Sequence, residues 1–258
     1  MAQSLHHEIV GHGPNVVLLH PVGLDLTFLT PVAELLGKDF TVLSVDQRGH
    51  GQSPALPAAN SLDDYAADLH ALLDDIGFAP AAVAGFSFGG MVAQALALSY
   101  PRDLSALIIA ASRATLPAPG RAISQARGDD ARDGGIAAVL EATLDRWFTP
   151  QFRAAGKDAP ARARLLSDDV DGWAQAWHAM ANVETLPRLP TLRVPTLCLA
   201  GELDKSAPPD VVKEMANAIP GARYDELPGA PHMLFIEQPQ ETARVIAGFL
   251  REALKRRT

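Results

Sequence analysis

The chain has 258 residues, 48% of them hydrophobic, and its 22 Lys and Arg against 30 Asp and Glu give a net charge of −8. That length favours one α/β domain with a small insertion over two domains, and the acidic balance argues against a nucleic-acid partner. Cys198 is the only cysteine and cannot form an internal disulfide, and no apolar run reaches the roughly 20 residues of a membrane helix, so we expect a soluble, cytoplasmic protein without membrane contact.

Short apolar runs rich in β-branched residues recur along the chain, separated by segments with helical periodicity. The runs are Val16–Leu19, Phe40–Val45, Ala81–Ala84, Leu107–Ala110 and Val194–Ala200, and Tyr224–Leu227 is a further strand-like segment. This alternation predicts an α/β fold with a mostly parallel sheet flanked by helices. Before the first run, three histidines lie in what we interpret as an exposed N-terminal hairpin: His6, His7 and His12.

One helix is predicted with both of its ends. Ser61 precedes Asp63 and Asp64, which is typical of a capped N-terminus, and Gly77 marks the stop. The apolar residues between them recur at helical spacing: Leu62, Tyr65, Leu69, Leu72, Leu73 and Ile76. We therefore expect an amphipathic helix that packs through its leucine face.

The sheet pattern is interrupted once, after Ala110, and resumes at Val194. The intervening segment is helix-like and carries all three tryptophans of the chain, Trp147, Trp173 and Trp177. We predict a helical lid at residues 114–187, inserted into a core formed by residues 1–113 and 188–258.

The segment around Ser87 predicts a strand, a tight turn and a helix. The apolar Ala81–Ala84 precedes it, glycines stand two residues away at Gly85 and Gly89, and the helix-like Gly90–Leu98 follows. A serine on such a turn is forced toward positive φ, and flanking glycines remove side chains that would collide across the bend. This pattern is typical of a nucleophile elbow, which exposes the serine hydroxyl.

An acyl-transfer site also needs N–H donors aimed at the developing oxyanion. Phe88, directly after the serine and at a helix N-terminus, is one candidate donor. The turn His20–Gly23, after the first apolar run, offers the second. Because Pro21 has no N–H, Val22 is the natural donor in that turn.

A serine hydroxyl needs a base and an acid that orients the base. Asp204 follows the strand-like Val194–Ala200, at the edge where parallel sheets build their sites, and is the leading acid. Two alternatives stay open at this point. Asp204 also fits a helix N-cap ahead of Pro208–Ile219, and Glu202 lies two residues closer to the strand.

The leading base is His232, which follows the loop Pro228–Pro231 after a strand-like run. His50 lies between two glycines in a tight connector, which makes a catalytic role for it the weaker interpretation. The chain order is then Ser87, Asp204, His232, as in α/β-hydrolases.

Substrate contacts are expected from the turn and from the lid, at His20, Gly23, Trp147 and Phe148. Four arginines each offer a guanidinium to a carboxylate, although a solvated or helix-pairing position is the favoured interpretation of each: Arg113, Arg121, Arg146 and Arg153. The polar stretch Arg127–Gly135 is interpreted as a mobile connector without a site. No apolar heptad or edge-strand pattern indicates an oligomer.

Over nearly its full length the chain resembles α/β-hydrolase-fold serine hydrolases. Five motifs carry the resemblance: His20–Asp25, Asp46–Ser53, Gly85–Gly90, Gly201–Asp204 and Gly229–His232. Within that superfamily, Arg146–Arg153 and Glu237–Pro239 resemble 3-oxoadipate enol-lactonases and related esterases. The resemblance implies two-step acyl transfer on a small ester or lactone, without metal or other cofactor. Carbon–carbon bond hydrolysis, cofactor-free perhydrolase or haloperoxidase activity, and a ligand-binding protein without turnover are the alternatives.

Overall fold

The computed structural model describes residues 5–55 and 61–255. In these ranges the chain forms one seven-stranded sheet in the order β1-β3-β2-β4-β5-β6-β7. The strands are β1 His7–Gly11, β2 Asn15–Leu19, β3 Thr41–Val45, β4 Ala81–Phe86, β5 Leu104–Ala110, β6 Thr196–Gly201 and β7 Arg223–Leu227. Only the pair of β1 and β3 is antiparallel within this described sheet, so the predicted mostly parallel α/β fold is confirmed.

Helices connect the strands. They are α1 Thr30–Leu36, α2 Leu62–Asp75, α3 Phe88–Ser99, α4 Ala118–Gly134, α5 Ile136–Trp147, α6 Pro150–Ala154, α7 Ala159–Leu166, α8 Val170–Ala181, α9 Pro209–Ala218, α10 Leu234–Glu237 and α11 Pro239–Lys255. Short 3₁₀ helices cover Leu26–Leu29, Pro101–Asp103 and Leu186–Thr191. None of the helices in the described ranges is long and apolar enough to cross a membrane.

The N-terminal hairpin prediction is wrong. Strand β1 pairs with β3, His7 lying opposite Val45, whereas β2 lies on the other side of β3. Ile9 and Val10 of this edge strand are exposed, so β1 lacks the buried apolar run by which the interior strands could be predicted.

The predicted helix after Ser61 corresponds to α2. The Asp64 carboxylate accepts a hydrogen bond from the Ser61 amide at 2.9 Å, which completes a capping box at the N-terminus. The buried residues of α2 are Leu62, Tyr65, Ala66, Leu69, Leu72 and Leu73. Helix α2 therefore packs through its apolar face, as the leucine spacing predicted, and α3 is its main neighbour.

Helices α4 to α8 lie between β5 and β6. The connector predicted at Arg127–Gly135 is wrong, because α4 runs without interruption to Gly134. Its buried positions are Ser124, Gly128 and Ala131, which recur at helical spacing and let α4 approach α8 closely. Small residues rather than apolar ones form the contact, so hydrophobic periodicity did not reveal this helix.

Candidate active site

Ser87 lies on a strained turn between β4 and α3. Its φ is +54°, in the left-handed region that residues with a side chain rarely adopt. The Ser87 amide donates to the Ala110 carbonyl at 2.9 Å, which ties the turn to the end of β5. A Cβ atom on Gly85 would collide with the carbonyl oxygen of Gly89, so glycine is required where strand and helix approach each other.

Ser87, His232 and Asp204 form a continuous hydrogen-bonded row. The Nε2 atom of His232 lies 2.9 Å from the Ser87 hydroxyl oxygen, and its Nδ1 atom lies 2.8 Å from a carboxylate oxygen of Asp204. His232 and Asp204 are each 4% exposed. Because a carboxylate only accepts, Nδ1 carries the proton and Nε2 is free to accept one from the serine.

The second oxygen of Asp204 holds the loop before α9. It accepts hydrogen bonds from the amides of Ser206 and Ala207 at 2.7 and 2.9 Å. The N-cap of α9 is Pro208, so Asp204 does not cap that helix as the alternative interpretation had it. One oxygen therefore fixes the carboxylate and leaves the other for the imidazole.

Glu202, the alternative acid, has a different partner. Its carboxylate accepts the Gly229 amide at 2.6 Å, and the Leu203 amide donates to the Ala230 carbonyl at 2.8 Å. These bonds hold the loop that leads to His232 against the end of β6. Glu202 thus supports the position of the histidine loop without contacting the ring.

The two candidate oxyanion donors lie beside the serine. Phe88 is the first residue of α3, where an N–H has no carbonyl one turn earlier in the helix. Val22 lines the same cavity as Ser87. Its turn is closed by the amide of Leu24, which donates to the Pro21 carbonyl at 3.3 Å, so closing the turn does not use the Val22 amide.

The ring of His20 holds the turn His20–Gly23 in place through hydrogen bonds on the side away from the cavity. Its Nε2 atom accepts the Gln47 amide at 2.9 Å, and its Nδ1 atom lies 2.7 Å from the Pro21 carbonyl oxygen, to which it donates. Full burial and the neighbouring His50 lower the pKa of His20 to about 3, so the ring is neutral. His20 is not among the described residues that line the cavity, which corrects its prediction as a substrate contact.

Gly23 also lies away from the cavity lining among the described residues. Its φ is +74°, and a Cβ atom there would collide with the ring of Trp173 and with Leu165. The predicted substrate contact at Gly23 is therefore corrected as well. Its role is to let α8 of the insertion pack against the turn.

His50 is buried beside the site without entering it. Its Nδ1 atom lies 2.9 Å from the Arg48 carbonyl oxygen, and its ring packs between His20 and Phe88, with centroid distances of 5.2 and 5.9 Å. Ser87 is hydrogen-bonded to His232 instead. The weak catalytic interpretation of His50 is thereby replaced by a packing role.

A cavity of about 150 Å³ opens next to Ser87 and His232. Its apolar lining comes largely from the insertion and from α3: Met91, Leu116, Ile123, Trp147, Trp177 and Met180. Of the two predicted lid contacts, only Trp147 lines this cavity. Phe148 lines an adjoining cavity of about 310 Å³, together with Arg146 and Leu203.

Three arginines line the cavity at Ser87. They are Arg113, Arg127 and Arg146. Burial lowers the pKa of Arg113, and burial followed by the proximity of Arg146 lowers the pKa of Arg127 to about 10. Sequence reasoning missed Arg127 because it lay in the supposed connector. The helical spacing of small residues in α4 was the signal that could have placed it.

The other two candidate arginines lie elsewhere. Arg121 pairs with Glu184 at 2.5 Å, and Arg153 forms ion pairs with carboxylates of the insertion, including Glu141 at 2.7 Å. Arg153 thus joins α6 to α5, the helix-pairing alternative, whereas Arg121 joins α4 to Glu184, which lies in a β-bridge with Thr115.

A sequence model of the alpha/beta hydrolase family matches residues 16–245. The chain is 31% identical to pimeloyl-[acyl-carrier protein] methyl ester esterase of Chromobacterium violaceum, covering 96% of this chain and 98% of that protein. It is 28% identical to 3-oxoadipate enol-lactonase 2 of Acinetobacter baylyi, covering 88% and 85%. It also matches polyketide synthase ThaQ of Burkholderia thailandensis at 31% identity, where 95% of this chain spans only 12% of that protein.

Among solved structures, the enol-lactonase of Burkholderia xenovorans LB400 superposes with a TM-score of 0.91. The two chains are 32% identical, and the alignment covers 96% of each. The similarity therefore includes the sheet and the helices inserted between β5 and β6.

Proposed function

The chain belongs to the alpha/beta hydrolase family, and we propose that it is a serine hydrolase that cleaves a small carboxylic ester or lactone through an acyl-enzyme. The hydrogen-bonded row of Asp204, His232 and Ser87 beside a cavity carries the proposal. The similarity to proteins named methyl ester esterase and enol-lactonase supports this choice of substrate class. A 3-oxoadipate enol-lactone is one compound of that class.

In the proposed first step, the Ser87 hydroxyl oxygen attacks the ester or lactone carbonyl while Nε2 of His232 takes its proton. The amides of Val22 and Phe88 donate to the oxyanion of the tetrahedral intermediate. Its collapse breaks the bond to the leaving oxygen, which receives the proton from His232. The products of this step are an ester of Ser87 and, for an open ester, a free alcohol.

Water completes the cycle by the reverse roles. His232 accepts a proton as water attacks the acyl-enzyme, and it returns that proton to the Ser87 oxygen as the acid leaves. Asp204 holds the Nδ1 proton and stabilises the imidazolium in both steps. All of these groups are protein side chains or amides, so the proposed cycle needs no metal or other cofactor.

The insertion enters the proposal as the wall that confines the substrate. Trp147 lines the cavity of Ser87, and we assign it a substrate contact. Phe148 lines the adjoining cavity, so we assign it a contact only with substrates large enough to extend into that cavity. On this assignment residues 114–187 act as the lid of a core formed by the rest of the chain.

The test combines covalent labelling with turnover. A fluorophosphonate probe should label the wild-type protein and the Ser167→Ala control, but not Ser87→Ala. A panel of short esters and lactones should be hydrolysed only by the labelled proteins. Labelling that survives in Ser87→Ala, or tight ligand retention without turnover of any panel member, would contradict the proposal. Product analysis with a ring-cleavage diketone, and with peroxide and acetate, tests the carbon–carbon hydrolase and perhydrolase alternatives.

A further inference from the structure

Three cationic side chains approach the cavity of Ser87 from different elements. Arg113 follows β5, Arg127 belongs to α4, and Arg146 lies in the last turn of α5. Each is partly buried. Three separate segments therefore bring positive charge to one small site. The three arginines are not neighbours along one helix, so their proximity arises from the tertiary fold.

No carboxylate of the described residues forms an ion pair with these three guanidinium groups. Arg113 donates to the carbonyl oxygen of Ser206. The guanidinium carbon of Arg127 lies 5.0 Å from the ring centroid of Trp177. By contrast, Arg121 and Arg153 outside the cavity are paired with carboxylates. Asp204 attracts Arg113 and Asp130 attracts Arg127 without forming an ion pair with either, so carboxylates offset the positive charge at the cavity only in part.

Like charges in a partly buried site oppose one another. Burial is the main cause of the lowered pKa of Arg113 and of Arg127, and the proximity of Arg146 lowers both pKa values further. An anion bound between them would relieve this repulsion. The planar fork of a guanidinium matches a carboxylate, with which it forms paired, charge-assisted hydrogen bonds.

The remaining lining limits what else the ligand contains. Met91, Leu116, Trp147 and Met180 are apolar, so the part of the ligand beside the carboxylate is expected to be apolar. We propose that Arg113, Arg127 and Arg146 form a carboxylate subsite, so that the preferred substrate is an ester or lactone that also carries a free carboxylate. The reacting ester rests on the proposed function, whereas binding of the carboxylate does not.

Binding can be measured without any turnover. Calorimetry with glutarate and with its uncharged diamide should show glutarate binding at least tenfold more tightly to the wild-type protein. Arg127→Gln and Arg146→Gln should each weaken glutarate binding at least tenfold, because a charged partner of the carboxylate is lost. Arg127→Lys, which keeps the charge, should recover part of the affinity.

The matched control is Arg121→Gln. Arg121 lies in the same helix as Arg127, is outside the cavity lining and pairs with Glu184, so its loss should change glutarate affinity less than twofold. Two independent cavity variants protect the test against misfolding of either one. Loss of binding in Arg121→Gln as large as in Arg127→Gln would overturn the subsite.

Kinetics then connect the subsite to the reaction. Monomethyl glutarate and methyl 4-carbamoylbutanoate differ only in a carboxylate against an amide. In the wild-type protein and in Arg121→Gln, kcat/KM should favour the carboxylate ester at least tenfold. In Arg127→Gln and Arg146→Gln the two esters should have nearly equal kcat/KM.

The possible failures separate the two proposals. A protein that binds glutarate but hydrolyses neither ester would overturn the proposed function and leave the subsite standing. A protein that hydrolyses methyl 4-carbamoylbutanoate as efficiently as monomethyl glutarate, and does not bind glutarate, would overturn the subsite alone. Tighter binding of inorganic phosphate than of glutarate would also overturn the carboxylate assignment.

Discussion

The guanidinium of Arg164, in helix α7 of the insertion, forms an ion pair at 2.7 Å with the carboxylate of Asp25. Asp25 follows the turn that carries Val22 and caps the short helix Leu26–Leu29 by accepting the Thr27 amide at 3.0 Å. Arg164 also pairs with the buried Asp168 at 2.9 Å. A single side chain thus joins the insertion to the turn of the proposed oxyanion donor.

Arg164→Leu should therefore affect both stability and catalysis. It leaves two largely buried carboxylates without their cation, which we expect to lower the free energy of unfolding by about 2–3 kcal/mol. Misplacement of Val22 should lower kcat more than it raises KM. Urea denaturation and steady-state kinetics measure the two effects.

The control for this prediction is Arg162→Leu, in the same helix. Arg162 pairs with the exposed Glu141 and, at 3.7 Å, with Asp158, which also pairs with Arg153. Because these contacts are screened by solvent or shared with a second cation, Arg162→Leu should lower stability less than Arg164→Leu. Equal losses in the two variants would show that the pair with Asp25 has no special role.

Asp204→Asn should reduce kcat by about 10⁴-fold, because an amide at this position favours the wrong tautomer of His232. Asparagine keeps an oxygen for the amides of Ser206 and Ala207, so the loop should fold. Glu202→Gln also keeps its oxygen for the Gly229 amide and should lower kcat less than tenfold. Steady-state kinetics on one ester decide between them, and the opposite ranking would assign the acid to Glu202.

Gly85→Ala should destabilise the protein by about 3 kcal/mol, because the added methyl group meets the Gly89 carbonyl and the elbow has to shift. Gly248→Ala is the matched control. A Cβ atom there meets no atom within 4 Å, and α11 should gain about 0.5–1 kcal/mol from the better helix former. Thermal and urea unfolding measure both, and a tolerated Gly85→Ala would contradict the tight approach.

The stability of the protein should depend on pH through His20. Burial holds its folded pKa at about 3, whereas the unfolded value is near 6.5, so the unfolded state binds the proton first as pH falls. This group therefore stabilises the fold fully above about pH 6.5, and its contribution declines toward pH 3 by at most about 1.4 kcal/mol per pH unit.

Urea denaturation at pH 7 and pH 5 tests this direction. The free energy of unfolding of the wild-type protein should fall more between the two pH values than that of His20→Asn. His12→Asn, at an exposed position, should retain the wild-type difference. An identical pH dependence in His20→Asn and wild type would rule out a neutral His20 as its source.

Local patterns predicted the interior of the fold well. The apolar strands lie where their β-branched runs indicated, because a strand buried on both faces needs such residues along its whole length. Helix α2 could be predicted with both ends, since Ser61 and Gly77 act within one turn of them. Strand β1 and helix α4 lack that signal, because one is exposed and the other packs through small residues.

The sequence predicted which residues belong to the site better than it predicted where their side chains point. Ser87 stands out because its glycines are neighbours in the sequence. Asp204 and Glu202 both follow β6, and only the turn, in which the Asp204 amide donates to the Gly201 carbonyl at 3.1 Å, decides which carboxylate meets the imidazole. Whether His20 faces the cavity or the interior depends on contacts with Gln47, which lies 27 residues away.

The amide of Met233 donates to the carbonyl of Trp147 at 3.0 Å, so one wall of the cavity is anchored to the residue that follows the proposed base. An outward movement of the Trp147 segment would therefore also displace Met233 and, with it, the imidazole of His232. Entry of a molecule is less disruptive past α4, where Ile123 borders the cavity and is 56% exposed to solvent. Substitutions in α4 near Ile123 can therefore change which substrates enter the cavity without moving Ser87, His232 or Asp204.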